Sequence, residues 1–246
     1  MKRYLALALA GAIGLSAVSL AVADDSVQTE VGKVKPTKLS KKKHQNIKLI
    51  NTITTFDKPG AFQPPKGVRT VVDWPKQLKF NLGAVPVCKT DASGLGLTAT
   101  TEEAIAVCGK KSVVSDPKGS TAVVTVGGAT MVATTLDIQV TAFNENGKKL
   151  LLYAKPIGDA SGIPASILEG KLKKSKAGKK YGKALDVTIP PLAAGAISFF
   201  EVTVKKSKYI QARCKPKKMT FQATTFFDDA PTSSDTHTIK CKPKKK

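Results

Sequence analysis

Along almost its whole length the sequence alternates apolar and polar residues in short runs separated by turn-forming residues, a pattern that only β-structure satisfies. Leu136, Ile138, Val140 and Ala142 share one side of a run whose other side is Asp137, Gln139 and Thr141. Leu185, Val187 and Ile189 alternate with Asp186 and Thr188 in the same way. Further strands are expected from Ile47 to Ile53, Val68 to Asp73, Leu78 to Leu82, Thr121 to Val126, Lys148 to Lys155 and Ala165 to Leu172. Ile197 to Val204, Lys208 to Arg213, Met219 to Phe227 and Thr236 to Cys241 complete the series. Asp57-Lys58-Pro59-Gly60, Gly127-Gly128 and Asn144-Glu145-Asn146-Gly147 supply turns. Without long helical runs between strands, parallel βαβ units are excluded and a sandwich or barrel remains. The preferred reading is an all-β fold, an antiparallel β-sandwich of Ig-like or jelly-roll-like type with one short helix. That helix starts at Thr100 or Thr101, has Glu103 placed for a capping box, and ends at Cys108-Gly109.

The N-terminus has a different character. Lys2 and Arg3 precede an apolar run from Tyr4 to Ala23, which closes on Ala21-Val22-Ala23 and is followed by Asp24 and Asp25. This is the layout of a signal peptide over residues 1–23, cut after Ala23. The rival reading is an uncleaved anchor, since the run is long enough to cross a bilayer. No later stretch approaches membrane-spanning length, so no transmembrane segment is expected after cleavage. Residues 24–44, where Lys33, Lys35, Lys38 and Lys41 to Lys43 dilute a few scattered apolar side chains, read as a flexible basic arm. One domain over residues 45–241 and a basic tail at 242–246 follow, with a split into two units near residue 127 left open.

Four cysteines, Cys88, Cys108, Cys214 and Cys241, in a chain bound for an oxidising compartment imply two disulfides. Three pairings are possible, and Cys88–Cys108 with Cys214–Cys241 is favoured because each closes a local unit. A zinc site is the alternative, but no pair has C-x-x-C spacing and His44 and His237 stand apart.

The net charge of +22 constrains partners more than fold. Lys2 and Arg3 go with the leader and no acidic residue does, which leaves +20. Arginine occurs only at positions 3, 69 and 213, so the charge is almost wholly lysine, which attracts polyanions diffusely and lacks the planar fork that reads phosphate or guanine. Lys171, Lys173, Lys174, Lys176, Lys179, Lys180 and Lys183 form the densest cluster and are the candidate polyanion-binding residues. Lys205, Lys206 and Lys208, then Lys215, Lys217 and Lys218, and Lys242 to Lys246 form smaller ones. Solubility and protection of sheet edges is the competing explanation.

Chemistry-bearing motifs are missing from the sequence: there is no G-x-S-x-G, no H-E-x-x-H, and no S-x-x-K with its companions. Ser234, Asp235 and His237 are neighbours in one strand and cannot adopt triad geometry. Glu102-Glu103 and Asp228-Asp229 suit a helix first turn and a hairpin turn. Specific nucleic-acid binding is disfavoured because aromatics make up only 6% of the chain, too few for stacking platforms. No cofactor is called for. The reading is a non-enzymatic secreted domain that associates with anionic envelope polymers or a phospholipid surface, with a ligand- or carbohydrate-binding module as the alternative and a hydrolase less favoured.

Trp74-Pro75 with Leu78-Lys79-Phe80-Asn81, Pro86-Val87-Cys88, the Thr-Glu-Glu helix ending at Cys108 and Val140-Thr141-Ala142-Phe143-Asn144 resemble a group of uncharacterised secreted β-rich proteins of actinobacteria. Leu185 to Pro190, Tyr209 to Cys214 and the closing Cys241 fit the same order, so the resemblance spans residues 68–241. It implies an exported β-rich domain and brings no activity or site residues with it.

Overall fold

The computed structural model describes residues 27–57, 63–127, 133–192, 195–205 and 208–244. The leader, the turn from Lys58 to Gly60, Gly128 of the expected hairpin turn, Lys206 and the last two residues of the tail lie outside them. Sixteen strands follow in chain order: β1 (Gln28–Lys35), β2 (Lys38–Leu39), β3 (Gln45–Asn46), β4 (Lys48–Thr55), β5 (Gly67–Pro75), β6 (Leu78–Phe80), β7 (Thr121–Gly127) and β8 (Ala133–Asn144). Then come β9 (Lys149–Pro156), β10 (Ser166–Lys174), β11 (Tyr181–Thr188), β12 (Ala196–Val204), β13 (Ile210–Ala212), β14 (Lys218–Phe227), β15 (Ser233–Lys240) and β16 (Lys242–Pro243).

Eleven of these strands form a single antiparallel sheet in the order β1-β4-β12-β7-β8-β9-β10-β11-β5-β14-β15. The β-rich expectation therefore holds, but the two stacked sheets of a sandwich are replaced by one sheet curled nearly into a barrel. Strands from before and after Gly127 alternate in this order, so no structural division falls there. Inward positions build the core from side chains such as Leu49, Ile53, Val72, Leu152, Leu168, Val187 and Phe221. The alternating burial of β4, with Leu49, Asn51, Ile53 and Thr55 inside, is what its sequence period requires.

Strand β1 revises the expected flexible arm. Residues 28–35 pair with β4 along their whole length, and Gln28, Glu30, Gly32 and Val34 point inward. Three of those four are not apolar, so the strand carries almost no hydropathy signal. The glycine is needed: a Cβ at position 32 would sit 2.2 Å from Cγ of the fully buried Phe221. We expect Gly32→Ala to cost about 1–3 kcal/mol by overpacking, measured by denaturant unfolding, and Phe221→Leu to recover part of that loss.

Closure follows from the number of strands. In an odd-numbered antiparallel sheet the first and last strands run the same way, so β1 and β15 meet in parallel and cannot extend the antiparallel ladder. Side chains of β15 stitch the seam instead. Asp235 Oδ2 accepts from the Glu30 amide at 2.7 Å, and His237 Nδ1 lies 3.1 Å from the amide of Gly32. Gln28 Nε2 also donates to the Ala223 carbonyl at 2.9 Å. Exposed strand edges invite aggregation, and this stitching covers two of them.

One end of the barrel is plugged. The small sheet β3-β13-β6 lies there, with Trp74 stacked on Phe80 at 4.6 Å between ring centres and Phe80 edge-on to Tyr209. The Cys214–Cys241 disulfide and the parallel pair β2-β16 complete the plug. Outside the barrel, α1 (Ala92–Gly96) and α2 (Thr101–Cys108) cover β8 and β9, so that Leu95, Ala104 and Cys108 pack on Phe143, Leu151 and Tyr153. Thr100 and Glu103 form both halves of the capping box. Two helices stand where one was expected, the first being a five-residue turn capped by Asp91. Cys88–Cys108 ties this layer down, so both favoured disulfides are present. Among the described residues no helix is long and apolar enough to cross a membrane.

Candidate functional site

The two ends of the barrel are chemically opposite. At the plugged end the lysines of the densest cluster occupy the β10–β11 hairpin. Lys171, Lys173 and Lys174 close β10, Lys183 opens β11, and Lys176, Lys179 and Lys180 lie in the loop, where Gly178 takes a φ of +123°. Lys173 is half-buried and reaches Asp186 Oδ2 at 2.5 Å. The same carboxylate takes a bidentate pair of bonds from Arg69 at 2.7 and 2.9 Å, which holds it below the usual carboxylate range. The other six lysines are exposed and have no ion pair among the described residues.

Register adds a feature that sequence order alone does not reveal. Five lysine pairs stand directly opposite each other across neighbouring strands: Lys35 and Lys48, Lys149 and Lys171, Lys174 and Lys183, Lys218 and Lys240, and Lys38 and Lys242 of the parallel pair β2-β16. All five lie toward the plugged end. Of these ten lysines only Lys149 has carboxylates within ion-pair reach among the described residues, those of Glu145 and Glu169. Like charges placed directly opposite in a sheet are destabilising. Strands β9, β10, β11 and β14 are paired on both sides, so protection of a free sheet edge does not account for their lysines.

At the other end the barrel holds a cavity of about 420 Å³. Ala122, Val124 and Val126 of β7, Leu136, Ile138 and Val140 of β8, and Ala154 and Pro156 of β9 form one wall. Leu168, Ile197, Phe200 and the Ile189-Pro190-Pro191-Leu192 segment form the other, and among the described lining residues Ser166 carries the one side-chain hydroxyl. Folded cores tolerate few voids larger than a water molecule, whereas this volume is in the range of ligand pockets. A narrower void of about 70 Å³ shares Leu168, Ile189, Ile197 and Phe200 with it and runs on between Ile53, Val72 and Val187. Phe56, Val68, Ile157 and Ile163 are exposed at this end, together with Asp57, Asp159, Asp228 and Asp229. The sequence gives each wall residue the look of an ordinary core position. Only the curvature of the sheet reveals that they fail to meet in the middle.

The polar residues in the seam are committed to structure. Glu30 is 2% exposed, and its carboxyl is pushed up to about 8 by burial, with the nearby Asp235 charge adding to the rise and a hydrogen bond from Asn51 opposing it. Asn51 Nδ2 donates to Glu30 Oε2 at 3.2 Å, while its oxygen accepts from Trp74 Nε1. Asp235 and His237 serve the backbone of β1, whereas Ser234 bonds Gln222 and Thr224 on the outer face. Strand alternation thus separates the serine from the other two. Glu103 caps α2, and Asp229 accepts from the Lys66 amide. Among the described residues no group of three His, Cys, Asp or Glu side chains is arranged to hold a metal. No protein-family model, curated protein or solved structure matches the chain.

Proposed function

We propose that this protein is a secreted, non-enzymatic, disulfide-bonded basic β-domain that attaches to phosphate-bearing anionic polymers or membrane surfaces through its plugged end. The observation that carries this reading is the set of five directly opposed lysine pairs, four of which have no carboxylate within ion-pair reach among the described residues. A polyanion lying across them relieves a repulsion that folding alone has no reason to build. Lysine suits such a task because it offers hydrated point charges without demanding one geometry. A carbohydrate-binding role gains no support from the cavity, whose described walls offer a sugar a single side-chain hydroxyl, on Ser166.

Attachment and stability should therefore trade against each other. Lys174→Glu turns one opposed pair into an ion pair with Lys183 and is expected to stabilise the fold by about 0.2–1 kcal/mol. The same change should weaken binding to phosphatidylglycerol vesicles, and binding by the unaltered protein should collapse as salt rises beyond physiological strength. Vesicle co-sedimentation across a salt series, alongside denaturant melts of both proteins, checks the pair of effects. Retention at high salt, or equal binding by Lys174→Glu and a Lys174/Lys218 double variant, would rule out attachment by this end.

A further inference from the structure

The cavity at the open end is separate from the lysines, and its chemistry is the reverse of theirs. A polar ligand entering it would give up its hydrogen bonds to water and find, among the described lining residues, the hydroxyl of Ser166 alone, with Thr55, Thr70 and Thr225 along the narrower void, where Thr70 and Thr225 already bond each other. An apolar ligand loses nothing and fills space the core leaves empty. The shape narrows the choice further. The wide chamber between β7–β9 and β12 and the narrower void toward Ile53 and Val72 share Leu168, Ile189, Ile197 and Phe200 in their linings, so two spaces of unequal width adjoin in the open half of the barrel. Two adjoining spaces of unequal width suit a flexible hydrocarbon chain, which can bend from one into the other, better than a rigid fused ring system. The exposed apolar side chains Phe56, Val68, Ile157 and Ile163 stand at this same end, where a lipid surface would be met.

The geometry points to a binding site for a single acyl chain of a lipid, inserted through the open end of the barrel with its headgroup left at the rim. Because no charged side chain lines the site among the described residues, binding is insensitive to salt, which separates it from attachment through the lysines. A rival occupant exists within the chain itself, the apolar run of residues 4–23, which precedes β1 in sequence.

The test uses the full chain and the chain lacking residues 1–23, with the neutral dye N-phenylnaphthylamine as a fluorescent probe of the cavity. Monopalmitoylglycerol, which is uncharged, is then titrated in, and palmitate at high salt forms a second arm; the tighter competitor names the source of the chain. The expected result is saturable dye binding, displaced by the palmitoyl compound and at least about tenfold less well by its octanoyl counterpart, since each buried methylene adds to affinity. Ala122→Trp fills the chamber and Leu136→Trp narrows it from a half-buried position, and each should weaken displacement about tenfold or more. Circular dichroism and melting temperature establish that the variants fold, and Leu136→Trp stands in should Ala122→Trp fail. No saturable binding, equal binding by a folded variant, or displacement that disappears at high salt would overturn the proposal. So would dye binding that appears only once residues 1–23 are removed, which would assign the cavity to the chain's own apolar run.

Discussion

Between about pH 4.5 and about pH 8 the folded protein is expected to lose stability steadily, and Glu30→Gln should remove most of that loss. The carboxyl is lifted from an ordinary value of 4.5 to about 8, chiefly because the seam buries it. Below the lower value both folded and unfolded chains hold the proton, and the stabilisation is complete. Between the two values only the folded state holds it, so each pH unit subtracts about 1.4 kcal/mol. Above the upper value both states are ionised, and the contribution, on the order of 5 kcal/mol in all, is gone. Asp73, also raised by burial, adds to the same slope, whereas Asp186, lowered by Arg69, acts in the opposite sense in acid. Glutamine keeps the shape and can still accept from Asn51, but it carries no proton to lose. The variant should thus match the parent in mild acid and exceed it at alkaline pH, as read from urea midpoints at a series of pH values. Parallel profiles for the two proteins would mean that Glu30 ionises normally and that the seam admits water.

The physical signals behind each element explain how far the sequence could be read. Most of the strands with apolar inner faces, from β4 to β14, are legible because burial on one side of a sheet imposes a period of two. The capping box of α2 is legible to the residue, since Thr100 and Glu103 are bonded within one turn. Strand β1 is not, because its inward Gln28, Glu30 and Gly32 satisfy the barrel by hydrogen bonding and by their small size. Helix α1 is hidden for another reason: Ser93, Gly94 and Gly96 are poor helix formers, and it forms because Asp91 caps it and Leu95 is fully buried. The choice between sandwich and barrel rests on which distant strands become neighbours. That pairing brings β4 beside β12 and β5 beside β14, which no local pattern encodes. The candidate sites divide along the same line. The lysine cluster is visible as composition, while its opposed pairs depend on register and the cavity depends on curvature.

Removing either disulfide should cost about 3–4 kcal/mol, but the two losses should look different. The bridges close sequence separations of 20 and 27 residues, and the chain-entropy relation gives about 3.3 kcal/mol for the shorter and about 3.6 kcal/mol for the longer. Cys88 and Cys108 belong to the small cluster outside the barrel, where they hold α1 and α2 against β8 and β9. Their replacement by alanine should free that layer first, so amide exchange at residues 92–108 rises well before the sheet melts. Cys214 and Cys241 sit in the main core, and Cys214 lies in the segment between β13 and β14 while Cys241 follows β15. Their amides bond to the carbonyls of Ser40 and Lys217, so the bridge anchors the plug and the last strand together. Without it, β15 keeps its ladder to β14 but loses its tether next to a seam that has no backbone ladder. The Cys214→Ala/Cys241→Ala variant should therefore unfold cooperatively at a lower denaturant midpoint, with exchange rising along β1 and β15 together. Exchange confined to residues 214–217 and 241–244 would show that Asp235 and His237 hold the seam closed on their own.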